Sequence, residues 1–162
     1  MTEEILQHET LIPDAAPSQP IEPQIDPELK RDLIVEAADE MKAQNIAVLD
    51  VREVTTLADF FVMCSGTSTT HIQSIAQGVR DRLREGAQQR ARAEGDSASL
   101  WIVLDYGDVI LHVFDDETRE FYDLERLWAD ARASFIEAPD GEDSNGEDSE
   151  NRIEQSPARQ SI

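Results

Sequence analysis

An α/β domain with a mixed β-sheet and flanking helices is what this 162-residue chain predicts, and three observations carry it. Four to five short runs of branched and aromatic residues have the length and composition of strands. Two longer amphipathic segments have helical spacing with one apolar face each, and such a face needs a sheet to cover. The stretch Leu100 to Trp128 holds two apolar runs parted by Tyr106-Gly107-Asp108, the signature of a β-hairpin, and contains both tryptophans and both tyrosines of the protein. Large amphipathic rings beside carboxylates belong either to a core or to a binding surface.

Taken in order, residues 1–25 carry Pro13, Pro17, Pro20 and Pro23 among acidic and polar residues. That composition buries too little apolar surface to offset ordering entropy and reads as a disordered tail. Asp26-Pro27-Glu28 is a helix start, with Asp26 as N-cap, Pro27 at the first helical position and Glu28 favourably placed in the first turn. A first helix then runs to about Gln44, with Leu29, Leu33, Ile34, Ala37 and Met41 on one face. Ile46 to Val51 reads as a buried strand and Phe60 to Cys64 as a second. Ser65-Gly66-Thr67-Ser68-Thr69-Thr70 is a turn and helix N-terminus rich in capping side chains. The second helix, about Ser68 to Arg92, lines up Ile72, Ile75, Ala76, Val79 and Leu83. Arg80, Arg82, Arg84, Arg90 and Arg92 make its C-terminal half basic, and a solvated helix end is the simpler reading of them.

Ala93 to Ser99 reads as a loop, followed by the hairpin, a polar connection over Asp115 to Glu120, and a short last helix over Phe121 to Ala131. Beyond Pro139 an acidic, low-complexity run forms a second disordered tail. The expected organisation is therefore an acidic Pro-rich tail (1–25), one domain (26–135) and an acidic tail (136–162). The helix between the second and third strands makes a right-handed crossover if those strands are parallel neighbours.

The formal net charge is −21. Residues 1–28 contain seven acidic side chains and no Lys or Arg, and the central residues 29–138 still carry a net −9. Binding to nucleic acid needs Lys and Arg to displace counterions from phosphates, so this sign argues against DNA or RNA. A basic protein partner and plain solubility both fit it. The single Cys64 lies in an apolar run and reads as packed rather than reactive, in a chain without disulfides. The start Met-Thr-Glu-Glu-Ile has neither the basic residues nor the apolar stretch of a secretory signal. No apolar run approaches the ~20 residues of a membrane span. The expectation is a soluble, cytoplasmic protein.

Ser65-Gly66-Thr67-Ser68 sits where a strand meets a helix, a place that suits phosphate, yet it has one glycine and no P-loop lysine. A nucleotidyltransferase would add an Asp-x-Asp metal pair soon after, whereas the next helix offers only Gln77-Gly78-Val79-Arg80-Asp81. Asp105 and Asp108 flank the hairpin turn, where aspartates usually cap the backbone. His8, His71 and His112 have no metal-ligand spacing, and His112 reads as a satisfied sheet histidine. Period-two alternation puts Trp101, Val103 and Asp105 on one face, and Ile110, His112 and Phe114 on one face of the next strand. If both long helices cover the opposite face, Trp101 lies in an exposed patch that marks a protein interface; if they lie on opposite faces, it is core.

The runs Asp59-Phe60-Phe61-Val62-Met63-Cys64-Ser65-Gly66-Thr67-Ser68, Trp101 to Phe114, and Arg119-Glu120-Phe121-Tyr122-Asp123-Leu124-Glu125-Arg126-Leu127-Trp128 resemble the ribosomal silencing factor RsfS, or Iojap-related, family. The resemblance covers about residues 29–131 and leaves out both tails. It implies a nucleotidyltransferase-like fold without catalytic residues, no enzymatic activity and no cofactor or metal. It also implies docking on protein fourteen of the large ribosomal subunit, which blocks joining of the small subunit and represses translation when nutrients are scarce. A homodimer of the free protein is compatible with it, and DNA and membrane partners are not expected. Carried onto this chain, the partner-binding positions are Trp101, Asp105, His112, Arg119, Tyr122, Glu125 and Trp128. Trp101 is expected as an apolar anchor, with Asp105 and Glu125 meeting basic groups. Arg119, Tyr122 and Trp128 either join them or brace the last helix on the sheet. The competing reading is a metal-dependent nucleotidyltransferase or nucleotide-binding enzyme.

Overall fold

The computed structural model describes residues 21–136. Most of the two predicted tails, residues 1–20 and 137–162, lies outside them. The elements are α1 (Pro27–Glu40), β1 (Gln44–Asp50), β2 (Phe60–Ser65), α2 (Thr69–Ala87), β3 (Arg92–Glu94), β4 (Trp101–Asp105), β5 (Val109–Phe114), α3 (Asp116–Tyr122), α4 (Leu124–Leu127) and β6 (Arg132–Ile136). The strands form one mixed sheet in the order β3-β4-β5-β2-β1-β6. Only β2 and β5 run parallel, in the register Val62 to Leu111 and Cys64 to Val113. The mixed α/β class read from the sequence is the class observed.

Both long helices lie on the same face of the sheet. Ile34, Ala37 and Ala38 of α1 and Ile72, Ile75, Val79 and Leu83 of α2 pack with Ile46, Val48, Phe60, Val62, Leu104, Leu111 and Val113 in one core. A smaller core fills the opposite face, where Leu49, Phe61, Met63 and Phe114 meet Trp101, Leu124 and Trp128. Every residue of β2 is buried because both of its faces are covered, which explains its unbroken apolar run. Fully burying a side chain such as Leu111 or Val113 stabilises by about 1.5–3 kcal/mol. The larger core therefore supplies most of the apolar driving force.

Charged side chains fix how α1 sits on this core. Asp26 caps the helix by accepting from the Glu28 N–H at 2.9 Å. The buried Lys30 ammonium lies 2.6 Å from Asp108 Oδ1 and ties α1 to the β4–β5 turn. Arg52 bonds both Asp50 and Glu28, and its guanidinium stacks over the Phe60 ring at 4.8 Å.

Several boundaries differ from those expected, each for a backbone reason. α1 stops at Glu40, not near Gln44, because Lys42 takes a left-handed conformation and the chain turns directly into β1. α2 stops at Ala87, not Arg92, because Gln88 adopts φ 53° and caps it through an N–H bond to the Leu83 carbonyl. That stop frees Arg92–Glu94 to pair with β4 as a short edge strand across the expected helix end and the start of the expected loop. The expected polar connection at Asp115 to Glu120 is mostly α3, since Asp115 caps it by accepting from the Thr118 N–H at 2.9 Å. Asp123, at φ 43°, ends α3 and caps α4, so the single last helix becomes two short ones. β6 pairs with β1 with all five residues exposed, and so carried no burial pattern to read. The second and third expected strands, β2 and β4, are not neighbours: β5 lies between them, and the crossover condition is not met.

Candidate functional site

The face opposite α1 and α2 carries the unusual chemistry. Strand alternation sets Trp101, Val103 and Asp105 of β4 beside Ile110, His112 and Phe114 of β5, and the α3–α4 segment covers only part of this surface. Trp101 lies half-buried, its ring stacked on Phe114 with centroids 4.9 Å apart. Its indole N–H donates to His112 Nδ1 at 3.2 Å. The Tyr122 ring meets Trp101 at 4.8 Å, and Phe121 meets Tyr122 edge-on at 5.1 Å. The result is a ladder of rings that climbs from the core to solvent, with Tyr122 51% and Phe121 80% exposed.

An indole N–H can only donate, so His112 Nδ1 must be unprotonated to accept from it. Burial lowers the pKa of His112 from 6.5 to about 4, and the Glu125 carboxylate opposes that shift without overcoming it. His112 is therefore neutral at pH 7 and serves as a fixed acceptor. Its T-shaped contact with Phe61, at 5.9 Å, seats it further.

Beside the ladder, Arg119 acts as a bracket. Its guanidinium donates to Glu125 Oε1 from Nε at 2.8 Å and from Nη2 at 2.5 Å. Nη1 donates to the Asn45 carbonyl at 2.7 Å and to Ser65 Oγ at 3.2 Å. One side chain thus ties α3 and α4 to β1 and β2. Trp128 completes the attachment by packing edge-on against Phe61 at 5.3 Å. Asp105 sits at the hairpin end of β4, where Oδ1 accepts from the Gly107 N–H at 2.7 Å. Gly107, at φ 87°, supplies the left-handed turn.

Of the seven positions carried over from the family motif, Trp101, His112 and Tyr122 form the ladder. Arg119 and Glu125 form the bracket, Trp128 lies under the last helix, and Asp105 caps the turn. Phe121 was not singled out from the sequence. Its only mark in the sequence is its place beside Tyr122 within the family motif.

The Ser65-Gly66-Thr67-Ser68 turn is held by hydrogen bonds within the protein. Gly66 N–H donates to the Phe114 carbonyl at 2.7 Å, Thr67 N–H to His71 Nδ1 at 3.0 Å, and His71 N–H to Ser68 Oγ at 3.1 Å. These three N–H groups, at the turn and the start of α2, are thus engaged within the protein. Cys64 is fully buried, which pushes its thiol up to about 12 and makes it inert. No group of three or more His, Cys, Asp or Glu among the described residues is placed to hold a metal ion, and none of their helices is long and apolar enough to cross a membrane.

A family model described as "Ribosomal silencing factor during starvation" matches residues 24–161. The ribosomal silencing factor RsfS of Bacillus subtilis is 38% identical over 95 residues, covering 59% of this chain and 80% of the relative. Its counterpart in Halalkalibacterium halodurans is 37% identical over 105 residues, covering 65% and 90%. A crystal structure of a Chromobacterium violaceum protein superposes with a TM-score of 0.62 at 29% identity, covering 70% of this chain and 95% of that one. These likenesses agree with the sequence motif, and the chain belongs to the ribosomal silencing factor family.

Proposed function

We propose that this protein binds the large ribosomal subunit through its protein fourteen and sterically blocks joining of the small subunit, repressing translation in the cytoplasm when nutrients are limiting. The observation that carries this reading is the ladder Trp101, Tyr122 and Phe121, whose outer rings stand in solvent on a face that the two long helices leave open. Exposed aromatic rings that adjoin a packed core have the composition of an interface centre. Exposed Glu117 and Glu120 beside them suit a basic protein partner. Glu125 is engaged by Arg119, so its role is to position α4, and Asp105 shapes the turn at the other end of the patch.

Steric blocking needs no reacting group, cofactor or metal. The competing reading, a metal-dependent nucleotidyltransferase, is disfavoured because the Gly66 and Thr67 N–H groups of the Ser65–Ser68 turn already bond within the protein. A homodimer of the free protein that covers the same rings is part of the proposal. Sedimentation of the purified chain with separated subunits tests it. The chain is expected to travel with free large subunits at moderate salt and not with small subunits, whereas failure to travel with large subunits would overturn the reading.

A further inference from the structure

The ring ladder does not account for a second feature of this acidic chain, a concentration of arginine at the end of α2. Arg80, Arg84 and Arg90, all exposed, line one groove of about 280 Å³ together with the buried Gln89 and with Ala91. Ala91 packs against the helix-side core, so the groove belongs to the face opposite the ladder. Arg84 pairs with Asp81 at 2.8 Å, and among the described residues Arg80 and Arg90 have no carboxylate within ion-pair distance.

The chain's own N-terminal stretch enters the domain at this place. Ile21, Glu22 and Pro23 line an adjoining hollow of about 250 Å³ with Arg84, Gln88 and Arg90. The Pro23 carbonyl accepts from Gln89 Nε2 at 2.6 Å, and Gln89 is itself buried. This contact latches the root of the N-terminal stretch at the lip of the arginine groove. The sequence before it carries Glu3, Glu4, Glu9 and Asp14 and no Lys or Arg. Asp14 is seven residues from Ile21, so it can reach up to about 25 Å from it.

We propose that the acidic stretch of residues 3–14 seats on the groove of Arg80, Arg84 and Arg90, anchored by the Pro23–Gln89 latch. Tethering makes the encounter intramolecular, with an effective concentration in the millimolar range for a short connection. A free polyanion must instead approach a chain of net charge −21. Each exposed ion pair is weak, so seating depends on several acting together and is salt-sensitive. The groove and the ladder lie on opposite faces, so this proposal stands or falls separately from the ribosomal one.

The full-length protein offers a direct test, because buried Cys64 does not react and a nitroxide can be placed on Gln7→Cys alone. At low salt the label is expected to remove most of the NMR amide intensity of Arg84, Gln88 and Arg90. That intensity should return at about 1 M salt, where the screening length is about 3 Å. It should also return when Glu3, Glu4 and Glu9 are changed to Gln and Asp14 to Asn, and in a chain carrying Arg80→Gln, Arg84→Gln and Arg90→Gln. Absence of broadening at low salt would overturn the proposal. So would broadening that survives neutralisation of the acids, which would reflect tethering alone. Tight binding of oligouridylate by the intact chain would overturn it in favour of nucleic acid.

Discussion

Arg119→Ala is expected to lower stability by about 3 kcal/mol and the melting temperature by roughly 10 °C or more. The guanidinium is mostly buried, with 12% of its side chain exposed, and it satisfies a carboxylate, a carbonyl and a hydroxyl at once. Truncation leaves Glu125 as a partly buried charge without its partner and removes a donor from the fully buried Ser65. Glu125 keeps some access to water, which places the loss at the lower end of the ~3–5 kcal/mol that breaking a buried pair costs. Arg119→Lys keeps the charge but not the planar fork, and should fall between. Chemical denaturation of the three proteins measures this, with hydrogen exchange expected to rise first in α3 and α4. A loss below about 1 kcal/mol for the alanine variant would mean that Trp128 and Leu124 hold these helices without the bracket.

The second large effect is acid sensitivity through His112. An unfolded chain titrates its histidine near 6.5, while the folded one does so near 4, so between these values the unfolded state binds more protons. Stability is therefore fully retained above pH 6.5 and falls progressively as pH drops towards 4. The contribution lost is on the order of 3 kcal/mol. The structural event is loss of the indole bond, because a proton on Nδ1 removes the acceptor that Trp101 uses. His112→Gln keeps an acceptor for the indole and removes the titration. Measured by urea unfolding from pH 7 to pH 4, wild type is expected to lose stability more steeply than this variant, and tryptophan fluorescence should shift in the same range. Parallel curves would contradict the assignment.

Much of this architecture was readable from residues, and the exceptions share a physical cause. β2 stood out because a strand buried on both faces is an unbroken apolar run. Alternation grouped Trp101, Val103 and Asp105 within one strand and Ile110, His112 and Phe114 within the next, and the β4–β5 register then sets both groups on one face of the sheet. The ends of α2 and α3 were hidden because Gln88 and Asp123, not glycines, take the left-handed caps. β3 and β6 were hidden because exposed edge strands owe their existence to a distant pairing partner, which local sequence does not announce. For the site, the sequence presented the rings together but not their order from core to solvent. That order depends on α3, whose start at Asp115 had the look of a polar connection.

The central claim is that the outer rings of the ladder carry binding to the large subunit. Phe121 and Tyr122 are 80% and 51% exposed, so Phe121→Ser combined with Tyr122→Ala should change folding stability by no more than about 1 kcal/mol. Removing two central aromatic contacts from an interface should weaken it at least about tenfold. The deciding measurement is the affinity of wild type and double variant for purified large subunits, alongside their melting curves. Loss of affinity by tenfold or more with nearly coincident melting curves is the expected result, and unchanged affinity in a folded double variant would contradict the account.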